Sequence, residues 1–149
     1  MKKGMWLFSW VLIVVLAVAG CSSASTDKES VGKQAFPDFV EASQVPGAKK
    51  AYAYAANHSK QLEHIPCYCG CGSLGHDSVK SCFLKKEGGK PEFNDHGANC
   101  GVCVNVVLDT MKGKQDGMSL KEVRKEIEEK YENGMNMSPT DTPEPPKGM

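Results

Sequence analysis

Three cysteines within five residues constrain this chain more than any other feature, and they lie in the segment Pro66-Cys67-Tyr68-Cys69-Gly70-Cys71. Thiols at this spacing share one short loop, and the glycine before the third lets the backbone turn tightly. The fold must therefore place three sulfur atoms close to one another. Metal thiolates, disulfides and thiol exchange are the kinds of chemistry that use such a cluster.

The first 21 residues have the pattern of a secretory signal peptide. Lys2 and Lys3 precede an apolar run from Met5 to Val18, which is shorter than the roughly 20 residues that span a bilayer. The cysteine directly after Ala-Gly resembles a bacterial lipoprotein signal, which implies that Cys21 is lipidated and becomes the mature N-terminus. We therefore expect an extracytoplasmic protein that is lipid-anchored to the bacterial cell membrane. A retained membrane helix with an ordinary cysteine at its end is the alternative.

The charge of the mature chain excludes one class of partner. Removal of residues 1–20 takes away two lysines and leaves 16 basic and 18 acidic residues, a net charge of −2. Such a chain has no basic excess to attract nucleic acid. The expected partners are the membrane, through the lipid anchor, and, as a further candidate, another envelope protein.

Composition divides the mature chain into a domain between two tails. Residues 21–35 are polar and predict a flexible tether that starts at the lipidated cysteine. Residues 133–149 contain four of the eight prolines and predict a disordered tail. Residues 36–132 remain for a mainly α-helical domain with a Cys/His-rich loop region, and a core of this size gains stability from cross-links or metal.

Two helices are predicted in the first part of the domain. Apolar residues recur at helical spacing over residues 48–65, and Pro66 ends this segment because it disfavours helical geometry in the residue before it. A second helix is predicted over residues 77–84, with Asp77 as its N-cap. Glycine, proline and asparagine then predict a loop over residues 86–98.

Two more helices are predicted after this loop. One runs over residues 100–112, and Gly113 suits its C-terminus. The last begins at a capping box formed by Ser119 and Glu122. Its apolar residues form one stripe, Leu120, Val123, Ile127 and Tyr131.

Thiols and imidazoles recur together between residues 67 and 103, where the chain has Cys67, Cys69, Cys71, His76, Cys82, His96, Cys100 and Cys103. These are the ligands that soft and borderline metals prefer, so we predict that all eight bind a metal ion, either copper(I) or zinc. Two tetrahedral ions require eight ligands, whereas copper(I) accepts fewer and forms thiolate clusters. The spacing is not that of a zinc finger, and Val104 stands where a haem attachment motif requires histidine.

Two other interpretations of the cysteines stay open. Six cysteines remain after Cys21, an even number that allows three disulfides and therefore a structural interaction domain. Cys100 and Cys103 have the C-x-x-C spacing of a redox pair, so a thiol–disulfide oxidoreductase is the third hypothesis. No hydrolase, P-loop or dinucleotide-binding motif is present, and an enzymatic activity is the weaker expectation. His58 and His64, upstream of the cluster, are better explained as ordinary helix residues.

The hexapeptide at residues 66–71 occurs together with four other segments, Gly75-His76, Cys82-Phe83, His96-Gly97 and Cys100-Gly-Val-Cys103. This set resembles the bacterial lipoproteins named for their PCYCGC motif, and the similarity covers most of residues 48–131. The resemblance implies that the cysteines and the two histidines act together. It supplies no established ligand or reaction, so the expectation of metal binding comes from the chemistry of the residues.

Overall fold

A computed structural model of the chain describes residues 35–85 and 92–149. It confirms the mainly helical fold class, with six α-helices in these residues: α1 (Asp38–Glu41), α2 (Ala48–Asn57), α3 (Ser59–Leu62), α4 (Lys80–Phe83), α5 (Gly101–Gln115) and α6 (Leu120–Glu128). Strands β1 (Leu84–Lys85) and β2 (Glu92–Phe93) form a short antiparallel pair in which Leu84 lies opposite Phe93. The predicted signal peptide, Cys21 and the tether up to residue 34 lie outside the described residues.

The helix predicted over residues 48–65 is interrupted at His58. This residue has φ −126° and ψ 29°, which are not helical angles, and it separates α2 from α3. Its ring stacks on Tyr54, with 4.3 Å between the ring centroids. The prediction of one continuous helix is therefore wrong at this point. The apolar spacing did not reveal the break, which coincides with this ring contact.

Helix α4 is shorter than predicted. It starts at Lys80, and its N-cap position is Val79 rather than Asp77. The Asp77 carboxylate instead accepts hydrogen bonds from the hydroxyls of Ser78 and Ser81. The predicted loop over residues 86–98 also contains strand β2 and a 3-10 turn, Asp95–Asn99.

Helix α5 continues past Gly113, which was predicted to end it. An added Cβ at Gly113 would lie 2.6 Å from a methyl carbon of Val123 on α6. Because real Cβ atoms do not approach so closely, glycine allows α5 and α6 to cross at short range. The chain then turns at Gly117, whose φ of 83° is in the left-handed region.

The structure confirms the capping box that begins α6. The Ser119 hydroxyl accepts a hydrogen bond from the backbone N–H of Glu122, and the Glu122 carboxylate accepts one from the Ser119 N–H at 2.8 Å. The predicted stripe is buried, and a π-helical turn, Glu129–Asn133, carries its last member, Tyr131.

The hydrophobic core lies around α5, which packs against both α2 and α6. Tyr52 of α2 meets Phe83 of α4 edge to face, with 4.8 Å between the ring centroids. Three cysteines, Cys67, Cys82 and Cys103, belong to this same core. These three side chains are therefore part of the packed interior. Within residues 35–85 and 92–149, no helix is long and apolar enough to cross a membrane.

The C-terminal segment, residues 133–149, was predicted to be disordered, and its contacts correct this. Thr140 and Thr142 are buried, and the Leu120 N–H donates to the Met149 carbonyl at 2.8 Å. The Arg124 guanidinium donates to the carbonyls of Thr142 and Pro143 at 3.1 and 2.9 Å. The proline content predicted disorder, but the segment is held by hydrogen bonds to distant residues that composition does not reveal.

Candidate metal centre

Six thiols from three parts of the chain meet at one end of the core. The loop at residues 66–71 contributes three of them, α4 contributes one, and the start of α5 contributes two: Cys67, Cys69, Cys71, Cys82, Cys100 and Cys103. All six are free thiols, and the shortest Sγ–Sγ distance among the contacts between them is 2.7 Å, from Cys69 to Cys71. A disulfide bond is about 2.05 Å long. The hypothesis of three disulfides therefore finds no bonded pair among the described residues.

Four of the sulfur atoms form a compact quartet. The Sγ of Cys67 lies 3.1 Å from that of Cys69, 3.5 Å from Cys82 and 3.7 Å from Cys103. Cys103 is 3.3 Å from Cys69 and 3.2 Å from Cys82. Because a zinc–sulfur bond is about 2.3 Å, sulfurs around a tetrahedral ion are about 3.8 Å apart. Neighbouring sulfurs in this quartet are therefore spaced closely enough to share a metal ion after a small expansion.

The backbone of Cys67 is fixed by the C-terminal segment. Its N–H donates to the Thr140 hydroxyl at 2.9 Å, and its carbonyl accepts from the Thr140 N–H at 2.9 Å. Thr142 continues this attachment by donating to the carbonyl of Asp77. Neither threonine was predicted as a site residue, because both lie in the segment that was predicted to be a disordered tail.

The other thiols are placed by turns and helix ends. Gly70 and Gly75 have φ of 79° and 80° and flank a 3-10 turn, Cys71–Leu74, which begins with the third cysteine of the motif. Cys100 is the N-cap residue of α5. Cys103 lies three residues later in the first turn of this helix, so both sulfurs are on the same side of it.

The six thiols divide into two groups by exposure. Cys67, Cys82 and Cys103 are 1%, 0% and 1% exposed, and they are called the floor of the cluster below. Cys69, Cys71 and Cys100 are partly exposed, and they are called the rim. A ligand can therefore reach the cluster through the rim, whereas the floor is closed by the core.

His76 contacts the cluster directly, and His96 contacts His76. His76 Nδ1 is 3.5 Å from the Cys82 sulfur, and its Nε2 is 3.2 Å from Nδ1 of His96. Burial, and then the neighbouring His96, lowers the pKa of His76, which favours the neutral imidazole that metals bind. Ligation by either histidine stays a prediction. His58 stacks on Tyr54, and His64 contacts the Pro143 carbonyl, so both lie elsewhere, as expected.

Hydrogen bonds between the thiols polarise the cluster. Those from Cys103 and then Cys82 lower the pKa of Cys67 to about 2, because they stabilise its thiolate. A hydrogen bond with Cys103 likewise lowers the pKa of Cys100 to about 6. The pKa of Cys103 is raised, first by its hydrogen bond with Cys100 and then by those with Cys67 and Cys82. Metal binding would displace the protons that these thiols share.

The arrangement defines a class of protein: a small helical domain with a partly buried polythiol centre that could hold a metal ion. The chain belongs to the family described as proteins of unknown function with a PCYCGC motif, whose model matches residues 11–145. No curated protein and no solved structure matches the chain.

Proposed function

We propose that this protein is a membrane-anchored, extracytoplasmic lipoprotein that binds a soft metal ion, copper(I) or zinc, as a carrier, sensor or scavenger. The observation that carries the proposal is the convergence of six free thiols on one point. Four of them, Cys67, Cys69, Cys71 and Cys82, have sulfur atoms that all lie within 4.8 Å of one another. Thiolates are the ligands that select copper(I) and zinc over harder cations.

The burial of three of the thiols supports the binding of a cation in the cluster. Cys67, Cys82 and Cys103 lie in the hydrophobic core, where an ionised group without a partner is costly. A bound cation would offset the charge of several thiolates at once. Because metal binding releases their protons, it would also stabilise the folded state.

The proposed location rests on the first 21 residues. A diacylated Cys21 would hold the domain at the outer face of the membrane, and residues 21–35 would separate the two. Replacement of Cys21 by serine is expected to release the protein from the membrane fraction without changing its metal content. Fractionation with intact mass analysis measures both, and membrane retention of an unacylated chain would contradict the anchor.

Metal content and thiol count on one sample test the proposal. The full chain would be purified in detergent without oxygen or chelator, and its metals measured by mass spectrometry. We expect a stoichiometric soft metal and thiols that react only after its removal. Cys67→Ser should lose most of this metal, whereas Ser73→Ala, an exposed change in the neighbouring turn, should keep it. A chain with neither metal nor reactive thiols would be a disulfide-stabilised interaction module.

One observation favours a second function, thiol–disulfide exchange. Cys100 is partly exposed at the start of α5, and its sulfur lies within 4.8 Å of that of buried Cys103. This is the arrangement of an attacking thiol with a resolving partner. Insulin reduction by the metal-free chain measures this activity, and it should disappear in Cys100→Ser. Equal rates for the two chains and for a protein-free blank would leave metal binding as the function.

A further inference from the structure

The six thiols form two overlapping ligand groups rather than one. The first contains Cys67, Cys69, Cys71 and Cys82, and the second contains Cys69, Cys100 and Cys103. Within each group, the sulfur atoms all lie within 4.8 Å of one another. One residue, Cys69, is common to both groups.

The Sγ of Cys69 is 3.1 Å from Cys67, 2.7 Å from Cys71 and 3.3 Å from Cys103. Cys67 and Cys103 also have three close sulfur neighbours each, so membership of both groups is what distinguishes Cys69. A thiolate has enough lone pairs to bind two cations at once. Cys69 is therefore placed to connect an ion on the motif side with an ion at the start of α5.

Coordination number limits what one ion can use. A tetrahedral ion takes four thiolates, so a single ion in the first group leaves Cys100 and Cys103 without a metal. Cys103 is buried and lies in the compact quartet, where an unused thiol would be close to a cation. A second ion in the three-sulfur group uses both of these thiols.

We propose that the centre is dinuclear, with one soft metal ion on Cys67, Cys69, Cys71 and Cys82, a second on Cys69, Cys100 and Cys103, and the Cys69 thiolate bridging them. This rests on the proposed metal-binding function. The second ion has three protein ligands, two of them on the rim, and a free coordination position. It is the exchangeable ion, and the first ion, with two floor ligands, is the retained one.

Cadmium-113 is the probe that tests the bridge, because it is a thiolate-binding cation with a nuclear spin of one half. The full chain, reduced and held in detergent, would be loaded with the isotope and examined by mass spectrometry and NMR. We expect two ions per chain and two resonances in the thiolate region. Each resonance should be split by the other ion through the shared sulfur of Cys69.

Two variants separate the two ions. Cys100→Ser removes a ligand from the three-sulfur group alone, so the content should fall from two ions to one, with a single unsplit resonance. Cys69→Ser should abolish the splitting. Ser73→Ala is the matched control and should keep both ions and the splitting, and far-UV circular dichroism verifies that each variant is folded.

The outcomes distinguish this inference from the proposed function. One ion per chain, unchanged in Cys100→Ser, would overturn the dinuclear centre and leave metal binding intact. Two resonances without splitting would overturn the bridging role of Cys69. A folded, reduced chain that binds no cadmium would overturn both the inference and the proposed function.

Discussion

The floor and the rim of the sulfur cluster contain the same residue type in different surroundings. The floor sulfurs lie in the core that also holds Tyr52 and Phe83, and the backbone of one of them, Cys67, is fixed by Thr140. Two rim residues, Cys69 and Cys71, flank left-handed Gly70 next to a turn that ends in Leu74, which is 64% exposed, and the third, Cys100, is the N-cap residue of α5. Burial with fixed geometry favours retention of a ligand, whereas exposure favours exchange. The comparison shows that one residue type can serve two roles: the buried thiols favour tight binding, and the exposed thiols give access for exchange.

The largest effect is expected from the floor. Cys82→Ser should lower metal affinity by more than the roughly 100-fold that loss of an outer-shell contact can cost, because it removes a buried ligand itself. It should also reduce the rise in Tm on metal addition, since a ligand that binds only the folded state stabilises it. Competition with a chromophoric chelator and thermal denaturation measure the two effects.

A smaller loss of affinity and faster exchange are expected at the rim. Cys71→Ser removes a partly exposed ligand, so the affinity should fall less than in Cys82→Ser while the dissociation rate increases more. Stopped-flow transfer of the ion to a chelator measures the rate, and equilibrium competition measures the affinity. Equal losses in the two variants would show that floor and rim do not differ in function.

The contact between the floor and the C-terminal segment is the next test. Thr140→Val keeps the size of the side chain but leaves the buried Cys67 N–H without its acceptor, which costs about 1–3 kcal/mol. Since this residue positions a ligand, metal affinity should also fall, by about 10-fold or more. Chemical denaturation and chelator competition measure both, with exposed Ser138→Ala as the control. An unchanged affinity would mean that the segment stabilises the domain without positioning the centre.

The smallest effect on the centre is expected far from it, at the start of α6. Ser119→Ala removes the capping hydroxyl and should lower the free energy of unfolding by about 1 kcal/mol without changing metal affinity. Hydrogen bonds from Ser119 lower the pKa of Glu122. The stabilisation from the ionised Glu122 carboxylate is therefore present above the ordinary glutamate pKa and is lost as the pH falls through the lowered value. Denaturation at neutral and acid pH checks both, and a change in metal affinity would contradict the separation.

Predictions from local sequence patterns were correct where the predicted feature depends on a single segment of the chain. The capping box and the buried stripe of α6 depend on residues within a few positions of one another, and both are confirmed. The break at His58 and the passage of α5 through Gly113 were missed. The first coincides with a ring contact on Tyr54, and the second follows from close packing against Val123. The spacing of apolar residues along one segment predicts neither contact.

The sequence by itself determined the kind of chemistry and the set of residues available for it. Thiol and imidazole side chains, dense between residues 67 and 103, predicted one cluster, and the mainly helical fold followed from apolar spacing. Tertiary structure alone decided which thiols are floor and which are rim, and that Cys69 is shared. It also decided that the C-terminal segment packs on Cys67. The reason is physical: residue type fixes what an atom can bind, but exposure and sulfur–sulfur distance depend on segments distant in the chain.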